Sequence, residues 1–193
     1  MYLDDIVKDL LIDAGGAPRF VVKDRLLRAL REFMRASDAW IHSVTDFAVQ
    51  RGEAHYTIEP PEHTKVGRVM KVGKRMPVGT TGRKLPGYIQ GPSSQAITLD
   101  PIPSQDEVVN LVMSLIPLRT LAELPDDLYD TWQDGIRSAC LFDLYAMKDQ
   151  PWSDPQLANY HMGVRDAEIN RAQQVVVAGH SQGIIEVTIP RFG

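Results

Sequence analysis

The chain has 193 residues, 44% of them hydrophobic, enough to bury a sizeable core in one domain or in one domain carrying an elaborated insertion. A formal charge of −4 and a pI near 5.7 argue against a protein whose main task is to coat nucleic acid, because phosphate neutralisation needs a broadly basic surface. The single cysteine, Cys140, rules out an internal disulfide or a thiolate metal cluster and suits a reducing compartment.

The opening MYLDDIVKDLL has no basic region ahead of an apolar stretch, so no secretory signal is expected. No apolar run reaches the roughly 18 to 20 residues that cross a bilayer, and the expectation is a soluble protein made in the cytoplasm, with no membrane partner. Leu3, Ile6, Val7, Leu10 and Leu11 recur at the spacing of an amphipathic helix, which Gly15-Gly16 and Pro18 end. A second helix is predicted from about Val22, with Leu26, Leu27, Leu30, Phe33 and Met34 on one face and Lys23, Arg25, Arg28 and Arg31 on the other; Trp40 and Ile41 close its buried end.

The period then changes to two. Phe47 and Val49, the turn Arg51-Gly52-Glu53, then Tyr56 and Ile58 read as a half-buried hairpin ended by Pro60-Pro61. Short strands are predicted around 66–72, 85–91, 95–99 and 106–116, broken by glycines and by the Pro101 and Pro103 pair, as in an antiparallel β module.

Helical period returns with Leu128, Trp132, Ile136, Cys140 and Leu144, introduced by Pro125 and by Asp126, Asp127 and Asp130, which oppose the positive end of the helix dipole. Pro151 ends this helix. Ser153 with Gln156 predicts a capping box for a last helix with the stripe Leu157, Tyr160, Val164 and Ala167, stopped by Gly179. The expected fold is α+β: a four-helix bundle of two helical hairpins (1–44 and 122–178), an antiparallel β module inserted between helices 2 and 3 (45–121), and an extended C-terminal arm (179–193).

Gly179-His180-Ser181-Gln182-Gly183 matches the G-x-S-x-G nucleophile elbow and follows a strand-like Val175-Val176-Val177. An elbow needs a helix after its serine, then an acid and a histidine. The twelve residues after Ser181 contain Glu186 and no histidine, so a plain turn is preferred and a serine hydrolase at Ser181 is a remote alternative. His42, His55, His63, His161 and His180 show no helical pairing with a carboxylate, so neither a metal site nor a catalytic centre is indicated. No phosphate-binding loop is present, and no cofactor is expected.

From Lys65 to Lys84 the chain carries Lys65, Arg68, Lys71, Lys74, Arg75, Arg83 and Lys84 without an acidic residue. The plain reading is a solvated β surface whose lysines protect an edge. The functional readings are docking to an acidic neighbouring subunit, or transient contact with DNA by Lys71, Lys74, Arg75, Arg83 and Lys84; a DNA-contacting accessory protein is the alternative function.

Three segments together resemble the head-to-tail adaptor (connector, or head completion) family of tailed bacteriophages, in that family's order. They are Phe47–Pro60, a hairpin with a glycine turn and a following tyrosine; Ile97–Pro103 with Val108–Val112, a proline-marked strand pair; and Leu124–Ile136 with Pro151–Tyr160, a closing helical pair. The resemblance implies a structural virion protein of the neck, not an enzyme, assembled in the host cytoplasm as a ring, commonly dodecameric, between the portal protein and the tail or neck proteins. It also implies a C-terminal arm gripping the portal, for which Ile184, Ile185, Val187, Ile189, Pro190 and Phe192 are the candidates. The stretch 73–91 matches nothing in the family pattern.

Overall fold

In the computed structural model, which describes residues 1–74, 87–90 and 95–180, the chain is α+β and runs α1 (Leu3–Asp13), α2 (Arg19–Ser37), β1 (Ile41–Val49), β2 (His55–Thr57), β3 (Thr64–Lys74), β4 (Gly87–Gln90), β5 (Ala96–Asp100), β6 (Glu107–Pro117), α3 (Asp126–Tyr145) and α4 (Pro155–His180). The predicted stripes of the first three helices are the faces that pack. Leu3, Ile6, Val7 and Leu10 of α1 meet Val22, Leu26, Leu30, Phe33 and Met34 of α2 and Trp132, Ile136, Cys140 and Leu144 of α3 in one core, which Ala158 and Ala172 of α4 also join. Burying each large apolar side chain contributes roughly 1.5–3 kcal/mol.

The last helix turns a different face inward from the one its apolar residues mark. Leu157 and Tyr160 are exposed, at 40% and 64%, and the buried positions are Ala158, Ala172 and Val176. The reason is that α4 packs with small residues and arginine stems: the guanidinium groups of Arg165 and Arg171 lie over the rings of Phe142 and Trp132, each 4.7 Å from the ring centre. A hydrophobicity stripe cannot report such a face. The helix cap also differs, since Asp154 Oδ1 accepts from the backbone N–H of Gln156 and Leu157 at 2.9 and 3.0 Å, while Ser153 Oγ donates to the Tyr145 carbonyl. Gly179 is not a stop, as α4 includes it and ends at His180.

The strands form two antiparallel three-stranded sheets, ordered β1-β6-β3 and β2-β5-β4. The expected hairpin of Phe47–Val49 with Tyr56–Ile58 is therefore absent: β1 pairs with β6 and β2 with β5. The intervening turn is a change of sheet. It is pinned by Gly52 N–H on the Pro103 carbonyl at 2.9 Å, Arg51 N–H on Asp106 at 2.7 Å, and the Tyr56 hydroxyl, which donates to the carbonyls of Gln50 and Glu53. The two sheets enclose a second core of Val49, Ile58, Val66, Val69, Val72, Ile97, Leu99, Val109, Leu111, Met113 and Leu115.

Trp40 packs against both cores, and Ile41 begins β1 rather than closing α2. Beside this junction Asp38 sits at φ 54°, ending α2. The buried Ser114 hydroxyl donates to Asp38 at 2.6 Å and accepts from the Arg68 N–H at 2.9 Å, and the Arg68 guanidinium returns to Asp38 at 2.6 Å. Gly67 permits this approach, because a Cβ there would stand 2.8 Å from Ser114 Oγ. The helices and the β1-β6-β3 sheet are thus tied by a satisfied polar network, whose members would each cost free energy if left unpaired.

Candidate functional site

β3 is an edge strand, and its inward residues are Val66, Val69 and Val72 because register shifts between Val66 and Lys71 stretch the usual period of two. Of the predicted basic contacts, Lys71 is exposed on this strand, opposite Val112, and Lys74 ends it. Arg75, Arg83 and Lys84 lie outside the described residues, as do Ile184, Ile185, Val187, Ile189, Pro190, Phe192 and Ser181. Val175-Val176-Val177, which an elbow would require as a strand, belongs to α4.

At the other end of β3 a groove of about 620 Å³ opens between the turn entering that strand and the segment entering α3. Its apolar floor includes Trp40, Leu121 and Leu124, and its rim carries Glu62, Glu123 and Asp126. The walls are fixed by local bonding. His63 takes φ 59°, its carbonyl accepts from Leu118 N–H at 2.8 Å and its ring meets Thr120 Oγ1 at 3.0 Å; the Thr64 hydroxyl donates to the Pro61 carbonyl at 2.6 Å. Opposite, Leu3 N–H donates to the Ala122 carbonyl and Leu124 N–H to the Met1 carbonyl, at 3.0 and 2.9 Å. The Met1 amino group pairs with Asp126 and lies 3.8 Å from Glu123; Glu62 is exposed with no cation beside it among the described residues. Sequence reading missed this groove because its two walls are sixty residues apart in the chain, though the acidic residues themselves were visible.

Cys140 and His161 are packed among the helices. Burial pushes the Cys140 thiol far above its usual value, which leaves it a packed apolar residue. His161 stacks on Tyr145 with ring centres 5.7 Å apart and reaches Ser138 Oγ at 3.4 Å, and burial holds its pKa below the ordinary value. Among the described residues no three His, Cys, Asp or Glu side chains converge as a metal site requires, and no helix among them is long and apolar enough to cross a membrane.

A cavity of about 200 Å³ between α2, α3 and α4 is lined by Glu32, Phe33, Asp143 and Arg165. Burial raises the Asp143 carboxyl pKa despite Arg28 at 3.5 Å. A raised folded-state pKa favours the protonated native form, so this contribution to stability is full below the ordinary carboxylate pKa and is lost as pH rises through the raised one. Asp143→Asn is therefore expected to gain stability relative to the parent as pH rises across that window and to lose the advantage in acid. Urea unfolding at a series of pH values measures this, and a pH-independent difference would contradict it. No family model matches the chain, and no curated protein is significantly similar to it.

Proposed function

We propose that the chain is a structural virion protein, the subunit of a head-to-tail adaptor ring that docks beneath the portal of a tailed bacteriophage and joins capsid to tail. In this reading the four helices form a bundle of two hairpins, 45–121 is the inserted β module, and the arm that grips the portal, expected from residue 179, starts after α4 and comprises 181–193. The observation that carries it is where the three family-like segments fall. Phe47–Pro60 runs from β1 to β2 and Ile97–Val112 from β5 to β6, each joining the two separate sheets and not the paired strands the resemblance implied, and Leu124–Tyr160 covers α3, the corner and the start of α4 in the family's order.

The exposed apolar residues Leu157, Tyr160, Val175 and Val177 on α4 also suit a protein that works packed against neighbours. The test is mass by light scattering with negative-stain imaging, on the chain alone and mixed with its phage's portal protein. Rings stacked on the portal are expected. A chain that stays monomeric and ignores the portal overturns the reading. The exposed Lys71 on β3 keeps the DNA-contacting alternative in view, and steeply salt-dependent duplex binding lost on changing Lys71, Lys74 and Arg75 to glutamate would then replace it.

A further inference from the structure

We propose that the groove floored by Trp40, Leu121 and Leu124 is the socket for the basic segment, residues 71–84, of a second copy of this chain, so that subunits join head to tail. The inference rests on the ring reading and gives it a contact.

Two features placed at opposite ends of one strand carry it. The groove abuts Thr64, the first residue of β3, and its rim bears Glu62, Glu123 and Asp126. The basic residues gather toward the other end: Lys71 and Lys74 are in the last four residues of β3, and Arg75, Arg83 and Lys84 follow with no acidic residue between Lys65 and Lys84. The charges are complementary, and the apolar floor offers burial to the stems of lysine and arginine, which pack well on an indole face.

A chain cannot satisfy this pairing by itself at Lys74. β3 is 11 residues long and hydrogen-bonded along its length to β6, so its two ends are held roughly 30 Å apart. For Lys74 the complementary surface comes from another molecule. Two different patches at opposite ends of a subunit make a heterologous contact, which closes into a ring where the rotation allows and otherwise runs on as a filament. Arg68, already paired with Asp38, takes no part.

The groove is also prepared for a ligand. Its walls are fixed by the bonds from His63, Thr64, Ala122 and Leu124 described above, so little ordering cost falls on binding. Met1 compensates Asp126 and part of Glu123, which leaves Glu62 and the outer face of Glu123 as the free negative charge.

The experiment is a charge swap followed by sedimentation velocity at low and high salt. One variant reverses the socket (Glu62→Lys with Glu123→Lys) and the other reverses the plug (Lys74→Glu with Arg75→Glu). Glu62 and Glu123 are exposed, and circular dichroism checks that each variant folds. Each variant alone is expected to associate at least about tenfold more weakly than the parent, because like charges meet at every contact. Mixed in equal amounts they are expected to recover, since the positive socket of one accepts the negative plug of the other, and the converse pair is also opposite in sign.

If the parent chain is monomeric at every concentration, a labelled peptide of residues 65–84 titrated with the full chain decides the matter. Saturable binding that weakens with salt and falls at least about tenfold on socket reversal supports the proposal. Absence of binding at low salt, binding that ignores the socket, or no recovery on mixing overturns it. The two readings fail separately: peptide binding at the socket by a chain that ignores the portal sinks the adaptor and keeps the socket. Portal-bound rings that survive socket reversal do the opposite.

Discussion

Replacing Gly135 by alanine is expected to destabilise the chain by roughly 1–3 kcal/mol, although alanine in a helix interior ordinarily gains about 1 kcal/mol over glycine. Gly135 lies in α3 and faces both α2 and α4. A Cβ added there would stand 2.5 Å from Phe33 Cε2 and 2.9 Å from Glu168 Cβ. Neither neighbour can yield cheaply. Phe33 is 1% exposed and packs on Trp132 with ring centres 6.3 Å apart. Glu168 Cβ moves only with the backbone of α4, and its carboxylate holds Arg171 at 2.7 Å, whose guanidinium covers Trp132. The overpacking penalty therefore exceeds the propensity gain. Gly163→Ala on α4 is the internal control, because its Cβ would meet nothing within 4 Å, and it is expected to stabilise by about 0.5–1 kcal/mol. Chemical unfolding of both variants measures the contrast; equal gains would show that the three helices do not pinch at Gly135.

That site marks a boundary between what local pattern encodes and what assembly of the chain adds. The apolar spacing of α1, α2 and α3 was legible because one face of each is made of large aliphatic and aromatic side chains, and the same residues form the helical core. The face of α4 was not, because arginines lying over aromatic rings and small alanines do the packing there. Strand positions were read to within a few residues, from β-branched runs bounded by proline and glycine, except that β1 begins at Ile41 and not near Phe47; the partner of each strand was not legible. Pairing is a long-range choice: β1 finds β6 across some sixty residues, and the turn after β1 looks like a hairpin turn until Asp106 and Pro103 claim its amides. The groove by Trp40 follows the same logic, since its floor and rim come from segments that only the fold brings together.

If the chain is the adaptor subunit proposed above, deleting residues 181–193 is expected to leave stability almost unchanged while weakening portal binding by at least about 100-fold, a difference near 2.7 kcal/mol. The first half follows from where burial ends. Among the described residues the members of both cores lie at or before Ala172, and Val176 is the last that is buried. Truncation therefore removes none of these described core side chains, and the unfolding temperature is expected to shift by no more than about 2 °C. The second half follows from composition. Ile184, Ile185, Val187, Ile189 and Phe192 lie within nine residues beside Pro190, and full burial of even two such side chains against a partner contributes roughly 3–6 kcal/mol before the cost of ordering the segment. Calorimetric binding of the full and truncated chains to assembled portal rings separates the outcomes. Loss of binding with unchanged unfolding assigns the grip to this segment. Equal binding by both chains would move the portal contact to the exposed face of α4, where Leu157, Tyr160 and Val175 would be the next residues to replace.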